Sequence, residues 1–505
     1  MKKTIFILFI TALTLAACQS ASQTTEVSKT SVVSPTDTPQ PTAVVATETG
    51  AFKCCRKGAS EKSGIVPVGK NKRRLRMKCS IETLSKMTAL LVADFEEQMK
   101  TSTSTSVEIE QGLRETLQRI GQESLGQLLT LKDEHNQTTQ EACSCSQSAR
   151  RISRREGKLL SVFGWITYRR SYYGCAHCHR YWYVLDEEEN LRAGSASAVM
   201  SRLLGVAGVT VSFEEAQRHI QEYLRVDVSI NTIRAETQRI GDLQAEREKQ
   251  WQAASQDLPN LQQREREAVV RPKRLYGSLD GAFVPLEEGW KEEKTVCWYE
   301  AGQRYGSAEL RAVNLNYYTS LEEASVFGEL VWATGLHHRV DQAAELVFVC
   351  DAATWIWKII EHYFPYAVQI VDWYHACQRL HAVSETLAEQ ERAPWLEHIK
   401  AALWEGEVQE VIQILQETFN RHPSSELIQS AITYYQNNQT RMAYAHFRKQ
   451  GYFIGSGTVE SACKQIVSLR LKRPGARWTK DGASAVAKAR AAWISHHWDA
   501  LPLAT

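Results

Sequence analysis

Leu275-Tyr276-Gly277-Ser278-Leu279-Asp280-Gly281-Ala282-Phe283-Val284-Pro285 has the strand-forming residues and bounds of one β-strand, with a carboxylate in its middle. Thr295 to Glu300 and Leu310 to Asn316 read as two further strands, and Leu321 to Gly335 as a helix. The apolar run Glu345-Leu346-Val347-Phe348-Val349-Cys350 is a buried strand that ends at Asp351. A helix (354–363), a strand (367–371) and a helix that starts at Asp372 follow. Three strands, a helix, then alternating strand and helix is the order of an RNase H-like domain, an α/β fold with a mixed sheet.

Open α/β sheets keep their sites where strands end, so Asp280 and Asp351 are candidates for one acidic site. Taken singly, each also reads as an ordinary strand-ending turn residue. A third carboxylate lies in Gly455-Ser456-Gly457-Thr458-Val459-Glu460-Ser461-Ala462-Cys463-Lys464. Its glycines free the backbone for a close approach, Thr458 is placed to cap a helix, and Val459, Ala462, Cys463, Ile466 and Val467 recur at helical spacing. Glu460 falls in the first turn, off the apolar stripe; alone it would be a surface acid at a helix start. Asp280, Asp351 and Glu460 together supply the hard oxygen donors that two magnesium, or manganese, ions take, with water and phosphate completing the shell. Such a metal pair, about 4 Å apart, serves in-line displacement at a phosphodiester. The sequence has no nucleophile elbow and no phosphate-cradling glycine loop.

Outward from this core the 505 residues allow several domains, and a formal charge of +2 excludes a global attraction to polyanions, so nucleic-acid affinity must be local. The twelve dispersed cysteines fit reduced thiols better than a disulfide framework. Residues 1–18 contradict that compartment: Lys2 and Lys3, an apolar run and Leu15-Ala16-Ala17-Cys18 resemble a lipoprotein signal peptide, which by itself predicts a membrane-anchored lipoprotein. Residues 19–76 read as a disordered Thr/Ser/Pro-rich tether that turns basic, and Met77 or Met87 is the expected original start. The functional protein is expected in the cytoplasm. Residues 77–140 read as a helical module, with Leu113, Leu117, Leu125 and Leu129 among its periodic positions.

Residues 141–190 carry Cys143-Ser144-Cys145 and Cys175-Ala176-His177-Cys178 on either side of a basic, aromatic hairpin. Two thiolate pairs across a strand pair read as a zinc-ribbon-like module that holds zinc, although the first pair has one intervening residue where two are usual; free thiols are the other reading. Residues 191–270 are helical. Ser212 starts one helix, Ser229 caps a second that bears Asn231 and Arg234 near its start, and Ala245 to Glu267 reads as a polar connecting helix. This is a helix-turn-helix pattern for DNA, which ordinary helical hairpins share. The RNase H-like region spans 271–383 and 451–505, divided by a helical insertion at 384–450. Lys464, Arg470, Lys472, Arg473, Arg477 and Trp478 form a basic run after Glu460, suited to a DNA backbone beside an acidic site.

Ser278-Leu279-Asp280-Gly281, Cys350-Asp351-Ala352, Val371-Asp372-Trp373-Tyr374-His375 and Gly455-Ser456-Gly457 with Glu460 and Lys464 resemble the ISKra group of bacterial insertion-sequence transposases, with the tail through Gly475-Ala476-Arg477-Trp478 extending the match. The resemblance covers roughly residue 77 to the end. It implies a DDE transposase with Asp280, Asp351 and Glu460 as metal ligands, Asp372 and His375 holding DNA near the site, and double-stranded element ends and target as partners. It also implies a homo-oligomer in the synaptic complex and no small-molecule substrate. Without the family, Asp372 simply caps a helix. Two other readings remain: an inactive remnant fused to a lipoprotein leader, and an RNase H-like nuclease that cuts without joining.

Overall fold

The computed structural model describes residues 105–135, 138–266, 271–303 and 309–503, with scattered positions between 89 and 100. The lipobox-like leader, the tether and both candidate starting methionines lie outside the described residues. The first element, α1 (Ser106–His135), lays Leu125 and Leu129 against a four-stranded antiparallel sheet, while Leu113 and Leu117 remain exposed. That sheet is β1 (Gln140–Ala142), β2 (Ser148–Ser161), β3 (Gly164–Gly174) and β4 (Tyr181–Tyr183), in sequential order. Gly126 of α1 is required, since a Cβ there would meet the Thr167 carbonyl oxygen at 2.5 Å. Several hairpin arginines are internally engaged: Arg170 is buried against Asp186 and the Tyr183 ring, and Arg154 pairs with Asp133 and Glu134.

Helices α2 (Val184–Glu189), α3 (Ala198–Thr210), α4 (Phe213–Leu224), α5 (Ile230–Ser255) and α6 (Leu258–Arg266) follow. Ser212 and Glu215 make a reciprocal capping box on α4, Arg225 ends it in the left-handed region, and Ser229 caps α5. The expected polar connecting helix, 245–267, falls on the end of α5 and on α6, with a break between them. One of its faces is covered: Gln244 donates to Glu248 at 2.9 Å, Glu248 pairs with Lys488, and both Gln244 and Glu248 are buried. Periodic hydrophobicity misses such a face because its polar groups are buried in pairs.

The second sheet comprises β5 (Arg274–Leu286), β6 (Gly289–Gln303) and β7 (Leu310–Ser320), then β8 (Glu345–Cys350) after α7 (Ala324–His337), and β9 (Val368–Val371) after α8 (Thr354–Tyr363). Its order is β7-β6-β5-β8-β9, antiparallel from β7 to β5 and parallel from β5 to β9. Tyr276, Leu279, Val296, Trp298, Phe348 and Ile370 are fully buried, and the Trp298 indole N–H is satisfied by Thr334 Oγ1 at 3.0 Å. After α9 (Trp373–Ser384), the helices α10 (Glu389–Glu405), α11 (Val408–Arg421), α12 (Glu426–Asn437) and α13 (Tyr444–Lys449) pack together. They are pinned to the sheet side by hydrogen bonds from Tyr435 Oη to the Ala376 carbonyl (2.7 Å) and from Tyr444 Oη to the Val371 carbonyl (3.0 Å). The chain ends with α14 (Gly457–Cys463), a π-helical turn (Lys464–Ser468) and α15 (Lys480–Ile494). The architecture is mixed α/β with two sheets, and no described helix is long and apolar enough to cross a membrane.

Candidate functional site

Strand order places the aspartates on neighbouring strands. The β5–β8 ladder ends with Gly277 level with Phe348; three residues further on in each chain come Asp280, still within β5, and Asp351, just past the end of β8. In the β8–β9 pair Cys350 is level with Val371, which sets Asp351 beside Asp372. Asp351 and Asp372 therefore follow directly on the ends of two adjacent parallel strands, and Asp280 lies on β5, the next strand over. Asp280 is mid-strand, since β5 continues past the end of β8 to Leu286. Asp351 and Asp372 sit where β8 and β9 end and their helices begin, the edge at which such sheets bind ligands.

Helix α14 brings Glu460 to these aspartates. It packs on β5 and β6 through Val459, Ala462 and Cys463, all buried. Ser456 occupies the N-cap position in place of the expected Thr458, and Ser456 Oγ donates to Glu460 Oε1 at 3.1 Å. Gly455 approaches closely, for a Cβ would lie 3.3 Å from the Tyr374 ring, whereas the space at Gly457 is open. Among the described residues, two groups bring metal-ligating atoms all within 4.8 Å of one another: Asp372, His375 and Glu460 form one, and four cysteines the other. Of the expected set Asp280, Asp351 and Glu460, only Glu460 belongs to the first group; Asp280 and Asp351 do not, although the charges of Asp351 and Glu460 act on Asp280.

Asp372 does not face DNA. It is fully buried, its Oδ1 accepts the His375 backbone N–H at 2.7 Å as the cap of α9, and its Oδ2 accepts the Ser456 N–H. The expected DNA contact is therefore corrected: Asp372 ties α9 to the segment that leads into α14. His375 Nε2 lies 3.5 Å from Glu460 Oε1 and remains partly accessible.

Burial raises the pKa of Asp280 above the ordinary aspartate value; the Gly281 N–H and the Cys463 thiol donate to it and lower it, and the charges of Asp351 and Glu460 raise it. The influence of Asp351 and Glu460 on Asp280 means that all three carboxylates lie near one another. Cys463 was legible only as an apolar helix position, yet its thiol, held protonated by burial, joins α14 to Asp280. A cleft of about 880 Å³ adjoins Asp351 between α8, α9 and α12, lined among others by Ala352, Lys358, Arg379 and Tyr434. The sequence carried no sign of it, because its walls come from segments far apart in the chain.

A second cleft, of about 580 Å³, joins the starts of α4 and α5 to the basic loop after the π turn. Arg234 lines it with Arg473 and Arg477, and Asn231, exposed, lies within hydrogen-bond reach of Arg234. Lys464, Lys472 and Arg477 are exposed, and Arg473 is paired with Glu215. Both Arg470 and Trp478 line this cleft, but Arg470 is a correction. Arg470 is buried at 2% exposure, donates to the Gly208 carbonyl at 2.7 Å and stacks under the Phe213 and Trp478 rings, so it braces the fold. Trp478 is half-buried, donates to the Leu471 carbonyl, and its own carbonyl accepts the Glu287 N–H beyond the end of β5.

The other ligand group is Cys143, Cys145, Cys175 and Cys178. Cys143 Sγ lies 3.4 Å from Cys178 Sγ, and Cys145 Sγ lies 3.6 Å from Cys175 Sγ. The N–H of Cys145 and neighbouring thiols outweigh burial and lower the Cys143 pKa to about 6. Cys145 is lowered by the Gln147 N–H, but burial and the other sulfurs push it up to about 12.

Two similar proteins come from Caldanaerobacter subterraneus subsp. tengcongensis, both named as UPF0236 proteins. One is 22% identical over 347 residues, 67% of this chain and 69% of the relative; the other is 22% identical over 349 residues, 67% and 68%, and its single name joins eleven loci. A family profile matches residues 101–498, a span that contains the three aspartates, Glu460 and all four clustered cysteines; the chain belongs to the uncharacterised protein family UPF0236.

Proposed function

We propose that this chain is the DNA transposase of a bacterial insertion sequence, with an RNase H-like catalytic sheet and a DDE site at Asp280, Asp351 and Glu460. The observation that carries the reading is the placement of Asp280 on β5 and Asp351 at the end of the neighbouring strand β8, with the charges of Asp351 and Glu460 both raising the proton affinity of Asp280. The strand order, three antiparallel strands followed by two parallel ones, supports the RNase H-like reading. The donor set fits hard divalent cations: Asp280, Asp351 and Glu460 would hold magnesium or manganese, with His375 at the margin. When bound, such ions activate the attacking oxygen and stabilise the leaving oxygen of a phosphodiester.

The chain's own residues do the rest. Asp372 and Ser456 fix the start of α14, Cys463 orients Asp280, and the cleft bearing Arg234, Arg473 and Arg477 draws in the DNA backbone that the carboxylates alone would repel. The groove beside Asp351 has room for a strand, with Lys358 and Arg379 on its walls. The eleven loci in one relative's name support a self-copying element over a nuclease that only cuts, since one protein recurring through a genome is what transposition leaves. The motif resemblance adds the ISKra assignment, cytoplasmic action on double-stranded element ends, and a homo-oligomer that pairs two ends.

The test is magnesium-dependent cleavage and joining of labelled DNA from the gene's own flanks. Cleavage with joining is expected, reduced at least about 1000-fold in Glu460→Gln, in the range of losing a principal electrostatic catalytic group. Cleavage without joining would make the chain a nuclease. Cleavage undiminished in Glu460→Gln would remove that residue from the site.

A further inference from the structure

The four clustered cysteines sit in two loops at the same end of the N-terminal sheet. One joins β1 to β2 and the other joins β3 to β4, and the start of β2 pairs with the end of β3 at Arg150 and Gly174. The loops differ by one residue between their cysteines, yet they are built alike. In the first, Cys143 N–H donates to the Gln147 carbonyl (2.8 Å) and Ser146 N–H to the Cys143 carbonyl (2.9 Å). In the second, Cys175 N–H donates to the Arg180 carbonyl (2.9 Å) and His179 N–H to the Cys175 carbonyl (3.0 Å). The residue after the second cysteine is left-handed in both, Ser146 at φ 65° and His179 at φ 58°. A non-glycine residue rarely adopts that conformation without a reason. Here it turns each chain so that both sulfurs of a loop face inward.

Backbone donors surround the sulfurs in the same repeating way. Each sulfur accepts the N–H two residues further on: Cys143 from Cys145, Cys145 from Gln147, Cys175 from His177 and Cys178 from Arg180. Cys175 accepts a further N–H from Cys178. Donors aimed at sulfur stabilise thiolate and orient it, the outer shell that metal-bound thiolates require. In a tetrahedral site with zinc–sulfur bonds near 2.3 Å, sulfurs stand about 3.8 Å apart. The cross-loop pairs at 3.4 and 3.6 Å, with all four sulfurs within 4.8 Å, match that figure.

We infer that Cys143, Cys145, Cys175 and Cys178 bind one zinc ion in a closed, structural site that fastens the two ends of the basic hairpin. Four protein ligands leave no open position for catalysis. The shortened first loop is accommodated by its tighter closure, so the single residue between Cys143 and Cys145 does not disable the site. This inference stands apart from the carboxylate site and is tested without measuring DNA cleavage.

The experiment is metal analysis of the full chain purified under reducing conditions, followed by cobalt exchange. One zinc per chain is expected, falling to the buffer background in Cys178→Ser. The cobalt form of the unsubstituted chain should show the intense visible bands and sulfur-to-metal charge transfer of a tetrahedral four-thiolate site, a readout that does not depend on how the variant folds. A chain with background zinc and a pale, octahedral cobalt spectrum would overturn the inference. So would peptide mapping that finds Cys143–Cys178 and Cys145–Cys175 disulfides, the alternative the same short distances permit.

Discussion

At the scale of the residue, Asp280 is a group the fold holds against its own preference. Burial and the charges of Asp351 and Glu460 favour its protonated form. Its pKa is raised on folding, so its contribution to stability is full below the unfolded value and is lost as pH rises through the folded one. Asp280→Asn is therefore expected to be more stable than the parent at pH 8, by about 1–3 °C in Tm, with the difference vanishing near pH 4. Thermal scans at both pH values check this, and an equal shift at both would mean that the carboxylate's charge is not the cause. The same variant should lose magnesium-dependent cleavage, since an amide cannot replace a carboxylate ligand. Gain in stability with loss of activity is the mark of a site whose repulsion is relieved by a cation.

Among the elements, α5 and α15 cross so closely that a Cβ at Gly241 would fall 1.9 Å from the Ala485 carbonyl oxygen. Gly241→Val is expected to cost about 3 kcal/mol or more, read as a lowered denaturation midpoint, because backbone rather than a pliable side chain blocks it. A midpoint unchanged from the parent would mean that the helices do not meet there. This crossing marks how far the sequence could be read. The strands and helices around Asp280 and Asp351 announced themselves through β-propensity and apolar runs, and Glu460 through the helical spacing that follows it. What the sequence concealed depended on distant pairing. Arg470 looked like a DNA contact because its neighbours are basic, but a carbonyl and two rings enclose it. The second half of α5 read as a mere polar connector because the partner of Glu248, Lys488, lies 240 residues away. Asp372 offered both a cap and a DNA contact, and its burial and two backbone partners distinguish them.

Over the whole molecule, the two predicted DNA-contacting segments converge on one cleft although more than two hundred residues separate them. Arg234→Ala and Arg477→Ala should each weaken DNA binding and lower the slope of log affinity against log salt by about 1. Arg470→Ala should leave that slope unchanged and lower Tm instead. Titrations at several salt concentrations separate the cases, and a changed slope for Arg470→Ala would return it to the interface. Helix α5 gives this arrangement a mechanical consequence. Its 26 residues form a rod of about 39 Å that begins at the cleft lined by Arg234 and packs on α7 and α15. No hinge interrupts it, so under the proposed function the chain would work as a caliper: the offset between the bases it grips and the bond it cuts would be set by the protein's own dimensions, one value for every copy of the element.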